Sequence, residues 1–341
     1  GVQANSSGVF SASFVLNSQP YGTKTVSVAH DSGFGVSSYP KTFLILPNIT
    51  IAPTTGIVTT MVTVSGTGYN PLEVVRIDFG SMSTIVTAQG SGLIDLTTTE
   101  KQVGGTFSVI FTVDSQPAGT RTVKGYGTEI QCDSVKIFTI IPDIYSVNPV
   151  SGTVGSQIAI TGRGYGDNEQ VDINFGTTPS IVFVLSNGNG WFYKTFTINT
   201  QPYGTTTIEA VCATSKWGSG TTNSCFIMPA IFSVSPTKGT VGVYVTICGN
   251  GFGNTKKIKI AFGTNPSIST THSDDFGSFT ASFTVDVQSK GITTITATDL
   301  TTGATATNTF EITAELMITP MSGTVGTLVV VNGQGFGATE A

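Results

Sequence analysis

The sequence predicts an all-β protein built as a tandem string of β-sandwich domains, with partial domains at both ends. Two short motifs recur along the 341 residues at a matching interval, which indicates internal repeats. Between the motifs, apolar residues alternate with polar ones at period 2, as in half-buried strands, and no stretch has a helical period. Only 10% of the residues are charged, against roughly 25% in an average soluble domain.

The repeat interval follows from two independent motifs. Because both keep nearly the same interval, each interval is expected to hold one structural unit. The one long interval places an insertion near residues 81–104. The motif [SK]-G-T-V-G begins at Ser151, Lys238 and Ser322, with spacings of 87 and 84 residues and a degenerate copy at Thr55. The motif Q-P-Y-G, with its variants, begins at Gln19, Gln116, Gln201 and Gln288, with spacings of 97, 85 and 87 residues.

Each unit contains about seven short predicted strands, a number typical of an immunoglobulin-like (Ig-like) sandwich. In one unit, Ile158 and Ile160 stand two apart after S-G-T-V-G, and the apolar stretches VDINFG, FYKTFTI, TTTIEA and CFIMP follow. The predicted domains are an N-terminal segment (1–47, the C-terminal part of a domain), a second repeat (48–141, with the insertion), a third repeat (142–228), a fourth repeat (229–314) and a C-terminal segment (315–341, the N-terminal part of a domain).

A loop motif resembles one particular type of Ig-like domain. Proline, a small residue and glycine precede a strand that leads into G-x-G-[FY], which is similar to the IPT/TIG type. That resemblance implies strings of domains in prokaryotic cell-surface proteins, in receptors or in DNA-binding proteins. The net charge of −5 disfavours the DNA-binding branch, so we expect no nucleic-acid partner. The resemblance to the surface proteins implies an extracellular, cell-surface location. The matching positions are Pro149, Gly152, Gly162, Gly164 and Tyr165; Pro236, Gly239, Gly249, Gly251 and Phe252; Pro320, Gly323, Gly333, Gly335 and Phe336; and, as a weaker set, Pro53, Gly56, Gly66, Gly68 and Tyr69.

The glycines of G-R-G-Y-G, residues 162–166, also resemble a phosphate-binding loop at first sight. Such a loop must lead into a helix whose N-terminal amides face the anion. In this sequence the loop leads instead into VDINFG, a predicted strand. We therefore expect a tight turn in which Tyr165, and Phe252 in the fourth repeat, folds back over the sandwich edge.

The sequence predicts no catalytic, cofactor or metal site. His272, Ser273 and Asp274 are neighbours in one loop, where they cannot form a line of nucleophile, base and orienting group. The acidic stretches 167–169 and 274–275 lack the spacing of a calcium-binding loop. The longest apolar runs, such as Phe43–Leu46, are too short to span a bilayer. We expect a protein that is not an enzyme and has no membrane-spanning segment.

The four cysteines fit an oxidising, extracellular setting. Cys212 and Cys225 flank a predicted hairpin in the third repeat and are expected to form a disulfide, with a bulge bringing both to one face. Cys132 and Cys248 are predicted at outward, polar positions. They are expected to be free thiols or partners across a subunit contact.

Three residues are candidates for modification or ligand contact. Asn5 and Asn48 begin N-x-[ST] sequons, the acceptor pattern for N-glycosylation. Trp217 lies in the loop SKWGSG and is the candidate exposed aromatic for ligand contact. Trp191 is expected instead in a core slot that phenylalanine fills in the other units.

Two functions remain open from the sequence. The first is a structural extracellular protein whose repeats build a filament, sheath or stalk, which sparse surface charge favours because weakly charged surfaces associate readily. The alternative is an adhesin or carbohydrate-binding accessory module of a larger surface protein, with glycans as partners. An exposed row of aromatic residues would favour the alternative.

The two partial domains are nearly complementary halves of one sandwich. Gly8–Phe10 aligns with Gly277–Phe279, and Gly335–Phe336 aligns with Gly251–Phe252. Together the two halves are expected to lack only the IKIAFG-type strand. One interpretation is head-to-tail completion, in which residues 315–341 of one subunit complete the domain begun by residues 1–47 of the next. The other interpretation is a longer tandem array whose neighbouring domains supply the missing strands.

Overall fold

The computed structural model describes residues 2–28, 40–90, 105–213 and 221–337, and every regular element in these ranges is a β-strand. The chain is an all-β string of Ig-like sandwiches, as the alternation of apolar residues predicts. The second repeat contains β3 (Asn48–Ala52), β4 (Thr55–Gly56), β5 (Met61–Thr67), β6 (Val74–Phe79), β7 (Met82–Gln89), β8 (Phe107–Thr112), β9 (Gly119–Gly127) and β10 (Asp133–Ile140), after β1 (Gly22–Val26) and β2 (Lys41–Ile45) of the N-terminal segment.

The third and fourth repeats repeat this order of strands. The third repeat contains β11 (Asp143–Asn148), β12 (Ser151–Thr153), β13 (Gln157–Arg163), β14 (Gln170–Phe175), β15 (Thr178–Leu185), β16 (Phe192–Thr197), β17 (Gly204–Cys212) and β18 (Thr221–Met228). The fourth repeat contains β19 (Ala230–Ser235), β20 (Lys238–Gly239), β21 (Tyr244–Asn250), β22 (Lys257–Phe262), β23 (Asn265–His272), β24 (Phe279–Thr284), β25 (Gly291–Asp299) and β26 (Thr305–Ile312), and the C-terminal segment contains β27 (Glu315–Thr319) and β28 (Val330–Gln334).

Each complete repeat pairs a three-stranded sheet with a five-stranded sheet. In the fourth repeat the strand orders are β19-β21-β24 and β20-β26-β25-β22-β23. The short strand of the [SK]-G-T-V-G motif pairs in parallel with the closing strand of its repeat, as Gly239 does with Ile312. The remaining neighbours in both sheets of this repeat pair antiparallel. The apolar residues of both inner faces form its core, which includes Val245, Ile247 and Phe310.

The second sequence motif holds a turn of its own repeat in place. The side-chain amide of Gln201 donates hydrogen bonds to the carbonyl of Phe175, at 3.3 Å, and to the Asn199 side chain, at 3.1 Å. Gln116 bonds in the same way to Phe79 and Asp114 in the second repeat, and Gln288 bonds to Phe262 and Asp286 in the fourth. The motif is therefore a tertiary clamp between two turns.

Part of the predicted insertion in the second repeat forms a strand that the third and fourth repeats also contain. Residues 82–89 form β7, which pairs with β6 as β15 pairs with β14 and β23 with β22. Residues 91–104 lie outside the described residues.

The chain divides into two compact units. The first comprises Gly1–Pro142, Arg163–Asn168 and Asn187–Trp191, and the second comprises Asp143–Gly162, Glu169–Ser186 and Phe192–Ala341. The division runs through the third repeat, because two of its loops belong to the first unit.

Candidate self-association surfaces

The C-terminal segment exposes the side chains that form the core elsewhere. Its two strands pair antiparallel, with Leu316 opposite Gly333, as Ile231 stands opposite Gly249 in the fourth repeat. Ile231 is buried, whereas Leu316 is 64% exposed. Val331 takes the position of the buried Ile247 and is 59% exposed. The hairpin therefore presents an uncovered apolar face.

The N-terminal segment also exposes residues whose counterparts in the fourth repeat are buried. Phe10 and Phe14 align with Phe279 and Phe283, which are both 5% exposed in the fourth repeat. Phe10 is 47% exposed and Phe14 is 68% exposed. Fully burying an apolar side chain that is otherwise exposed contributes about 1.5–3 kcal/mol, so a layer that covered these rings would stabilise the segment.

An open groove lies on the inner face of β1 and β2. It has a volume of about 310 Å³ and is lined by Phe14, Leu16, Phe43 and Ile45, with Lys24 as its charged residue. In the complete repeats the equivalent space is filled, since Phe310 and Ile312 of the fourth repeat are buried against Val245 and Ile247. The groove therefore corresponds to the half of a sandwich core that the opposite sheet covers in the fourth repeat.

A glycine notch marks where the third strand belongs in the smaller sheet. In the fourth repeat the Phe279 ring covers Gly249 so closely that a methyl group there would lie 2.3 Å from the ring. In the C-terminal segment no ring from a third strand covers Gly333 among the described residues. The ring of Phe336, the residue three positions on, lies over Gly333 instead, 2.8 Å from where a methyl group would stand.

The G-x-G-[FY] loop is a turn, as predicted. In the third repeat Gly164 has a φ of +69°, which favours glycine. Tyr165 and Phe252 are fully buried, and the loop leads into the strand β14. A helix N-terminus, which a phosphate site of this type requires, does not follow the loop.

The predicted disulfide between Cys212 and Cys225 is wrong. The hairpin register places Cys225 opposite Thr206, six positions along β17 from Cys212. At about 3.3 Å per residue this offset is about 20 Å, whereas disulfides need Cα atoms closer than about 7 Å. Cys225 instead faces the core, at the position that Phe138 and Phe310 occupy in the neighbouring repeats.

The remaining cysteines are partly exposed. The Cys248 sulfur lies 3.7 Å from the Thr280 hydroxyl oxygen on the adjacent strand. The Cys132 thiol donates to the Tyr21 hydroxyl oxygen at 3.5 Å. Burial raises the pKa of the Cys225 thiol, so its reactive thiolate form is suppressed. The pairing of Cys132 or Cys248 across a subunit contact stays a prediction.

Both candidate glycosylation sites are exposed. The Asn5 side-chain oxygen accepts hydrogen bonds from the backbone amides of Ser7 and Val9, at 3.0 and 2.9 Å. Asn48 begins β3 and stands opposite Thr67. A glycan on the side-chain nitrogen of Asn5 would leave its two oxygen-mediated bonds in place.

The structure tests the prediction for only one of the two tryptophans. Trp217 lies outside the described residues, so its contact with a ligand stays a prediction. Trp191 is 41% exposed, and the prediction that it fills a core slot is wrong. The residue opposite the strand glycine Gly162 is Phe192, which is buried; the slot is therefore one position further on.

The loop of His272, Ser273 and Asp274 is occupied by structural hydrogen bonds. The buried Ser273 hydroxyl donates to the carbonyl of Gly253, and Asp274 accepts from the backbone amides of Phe276 and Ser278, both at 2.9 Å.

Within the described residues, no group of three or more His, Cys, Asp or Glu side chains is placed to hold a metal ion. In the same part of the chain, no helix has the length and apolar character needed to cross a bilayer.

Comparison with known proteins gives similarities of structure alone. No family model matches the sequence, and no curated protein matches it. Similar solved structures include the ICAM-5 D1–D4 ectodomain fragment (12% identity, 80% of this chain, 79% of that chain, TM-score 0.22) and invasin, a bacterial integrin-binding protein (14%, 80%, 61%, 0.26). Another is Bacteroides ovatus SGBP-B in complex with a mixed-linkage heptasaccharide (11%, 82%, 82%, 0.24). At these TM-scores the similarities carry no inference about function, and the fold assignment rests on the strand pairing.

Proposed function

We propose that this chain is an extracellular structural protein, with no catalytic activity, that associates with copies of itself through its two terminal segments. Its Ig-like repeats, of the IPT/TIG type by their loop motif, would then act as the spacer of a filament, sheath or stalk. The observation that carries the proposal is the exposure of core positions at both ends. Leu316, Val331, Phe10 and Phe14 are all 47% exposed or more, while their counterparts in the fourth repeat are buried.

The physical reason for association is the combination of apolar faces with backbone that has no strand partner. Among the described strands β28 has a partner on one edge only, and residues 10–15 are not paired in a strand. Exposed edges with apolar faces are templates for pairing with another chain. Sparse charge also supports the proposal, because only 10% of the residues are charged and weakly charged surfaces associate readily.

A second function has one observation in its favour. At positions where the second and fourth repeats carry Thr87 and Thr270, the third repeat carries the exposed Phe183. On β16 it also carries the exposed Tyr193, where the fourth repeat has Thr280. Exposed aromatic rings suit stacking on sugar rings, so the third repeat is the place where an adhesin or carbohydrate-binding module would bind a glycan.

Association is tested with a matched pair of substitutions on β28. Val331→Asp places a charge on the inner face, and Asn332→Asp places the same charge on the outer face of the neighbouring residue. Light scattering across a concentration series and electron microscopy should show assemblies for the unsubstituted chain and for Asn332→Asp, and monomers for Val331→Asp.

Two results would overturn the proposal. The first is an unsubstituted chain that stays monomeric at every concentration. The second is a natural polypeptide whose intact mass is well above 35.3 kDa and whose additional sequence supplies the missing strands covalently. Binding of soluble glycans that is lost on Phe183→Ala or Tyr193→Ala, without any assembly, would favour the second function.

A further inference from the structure

The complete repeats share one register between the two strands that the terminal segments would have to combine. In the fourth repeat β21 pairs with β24 so that Gly249 stands opposite Phe279 and Val245 opposite Phe283. In the second repeat β5 and β8 pair in the same register, with Gly66 opposite Phe107. In the third repeat, β13 and β16 repeat this register. It is therefore a property of the repeat.

We infer that residues 10–15 of one copy add to the free edge of β28 in a second copy, with Phe10 seated on Gly333. The inference rests on the proposed function and deepens it by fixing the partner as a second copy and the contact as one register. The repeat register then places Val331 opposite Ala12 and Val329 opposite Phe14. The inner face of the added strand is Phe10, Ala12 and Phe14, which matches the apolar face of the hairpin.

The notch at Gly333 explains why the register is specific. Only glycine leaves room for a ring in this position, since a methyl group on Gly249 or Gly66 would stand 2.3 or 2.1 Å from the ring of Phe279 or Phe107. Phe336 now lies over Gly333. In the fourth repeat its counterpart, Phe252, is buried beside Phe279, with ring centroids 5.1 Å apart in an edge-to-face arrangement. On association Phe336 would therefore move aside and pack against Phe10 of the other copy.

The larger sheet offers a second contact in the same geometry. In the fourth repeat Lys238 and Gly239 pair in parallel with Glu311 and Ile312. The corresponding residues are Ser322 and Gly323 of one copy and Leu44 and Ile45 of the other. Both ends of the C-terminal segment would thus engage the N-terminal segment of its partner, closing the groove lined by Phe14 and Ile45.

The strands of the two segments build only part of the composite sandwich. The two segments have no counterpart for β22 and most of β23, which is two strands rather than the single strand expected from the sequence. In the fourth repeat β22 pairs with β25, the counterpart of β1. The composite therefore forms the smaller sheet completely and the larger sheet in part.

Cross-linking tests the register directly. The contact between Cys248 and Thr280 shows that side chains at this outward pair meet across the strands, and the corresponding pair is Asn332 and Ser11. Full-length Asn332→Cys is mixed with full-length Ser11→Cys, oxidised, and mapped by mass spectrometry. Because each variant carries one introduced cysteine, a link between positions 11 and 332 joins two copies. Ser13→Cys, two positions out of register, is the matched control.

The expected result is a link between positions 11 and 332 at least about tenfold more abundant than one between 13 and 332, because the diagonal pair is too far apart for good disulfide geometry. Equal yields, or a preference for position 13, would overturn the register. If assemblies form but no such link appears, the inference fails and the proposed function stands. If no assemblies form, the proposed function itself fails.

A substitution in the notch gives a second readout without cysteine chemistry. Gly333→Ala should reduce assembly by at least about tenfold, because a methyl group would occupy the space needed by the Phe10 ring. The isolated segment should tolerate it, since the Phe336 ring over Gly333 is the end of a side chain. Asn332→Ala on the outer face is the control. Unchanged assembly of Gly333→Ala would contradict the seating of Phe10.

Discussion

The backbone amide of Tyr203 donates a 2.8 Å hydrogen bond to the carbonyl of Phe252. Tyr203 is the third residue of the Q-P-Y-G motif in the third repeat, and Phe252 is the aromatic residue of G-x-G-[FY] in the fourth. Within the first unit the same bond recurs from Ala118 to Tyr165, at 2.9 Å. In these two places the Q-P-x-G turn of one repeat therefore contacts the G-x-G-[FY] loop of the next, and we call this contact the joint. The Q-P-x-G motif thus serves both the turn clamp and the joint.

Because the backbone packs closely at the joint, we expect the substitution of one glycine there to lower stability strongly. Gly277 has a φ of +75°, and a methyl group there would lie 2.0 Å from the Phe252 carbonyl oxygen and 3.0 Å from the Cα of Pro202. We expect Gly277→Ala to destabilise the fourth repeat by about 3 kcal/mol or more, because backbone on two sides must move. Hydrogen exchange of the amides in β21 and β24 would measure the loss.

A substitution at Gly303 is the control that measures the backbone strain of a positive φ without a close contact. Its φ is +76°, but a methyl group there would meet nothing within 4 Å. Gly303→Ala should therefore cost only about 1–2 kcal/mol, the strain of a left-handed alanine. Equal losses for the two variants would show that the joint adds nothing.

Acid should weaken the fourth repeat through Asp299. Burial alone would raise the pKa of this carboxyl, but hydrogen bonds from Thr302, Thr301 and Gly253 outweigh burial and hold the pKa below its ordinary value. A group whose pKa is lowered in the folded state contributes stability above its unfolded pKa and loses it as pH falls through the folded pKa. Stability should therefore decline below about pH 4.

Asp299→Asn is expected to remove that part of the acid sensitivity. It should also lower the stability at neutral pH by about 1–3 kcal/mol, because charge-assisted bonds to three backbone amides are weakened. Asp275→Asn removes an equal charge from an exposed position in the same repeat and serves as the control. Denaturation followed at several pH values would refute the assignment if both variants kept the parent's pH dependence.

Thiol labelling should separate the cysteines by burial. Alkylation of the native protein is expected to modify Cys248 and Cys132 well before Cys225, whose exposure is 1% and whose raised pKa suppresses the thiolate. Peptide mapping without reduction should recover no peptide in which Cys212 is bonded to Cys225. Detection of that bond would mean that β17 and β18 pair in a different register, in which Thr206 does not stand opposite Cys225.

The repeats, their strands and the turn at G-x-G-[FY] could be predicted because each has a local cause. Alternation at period 2 identifies strands such as β13, and the positive φ of Gly164 requires a residue without a side chain. The exposed faces of the two segments could also be inferred, since aligning Phe10 with Phe279 identifies the core positions of the N-terminal segment.

Strand register is set at long range and is harder to predict from local sequence. A shift of one residue inverts the two faces of a strand, so a prediction that is one residue out of register assigns Trp191 to the core in place of the buried Phe192. The position of Cys212 and Cys225 on either side of a hairpin predicts that they pair, whereas the observed register places Thr206 opposite Cys225. No local signal indicated that Gln201 would bond to Phe175, because the two residues meet only after the sheets have formed.

The clamp formed by Gln201 supplies a final prediction. Its side chain is 2% exposed and donates to the Phe175 carbonyl and to Asn199. Gln201→Ala should destabilise the third repeat by about 1–3 kcal/mol, because a buried carbonyl loses a donor. Gln170→Ala removes an exposed glutamine whose amide bonds to Asp172 in the same repeat, and should change stability by no more than about 0.5 kcal/mol. Hydrogen exchange of β14 and β17 amides would measure both variants, and equal protection in the two would show that the glutamine of Q-P-Y-G does not hold the turn.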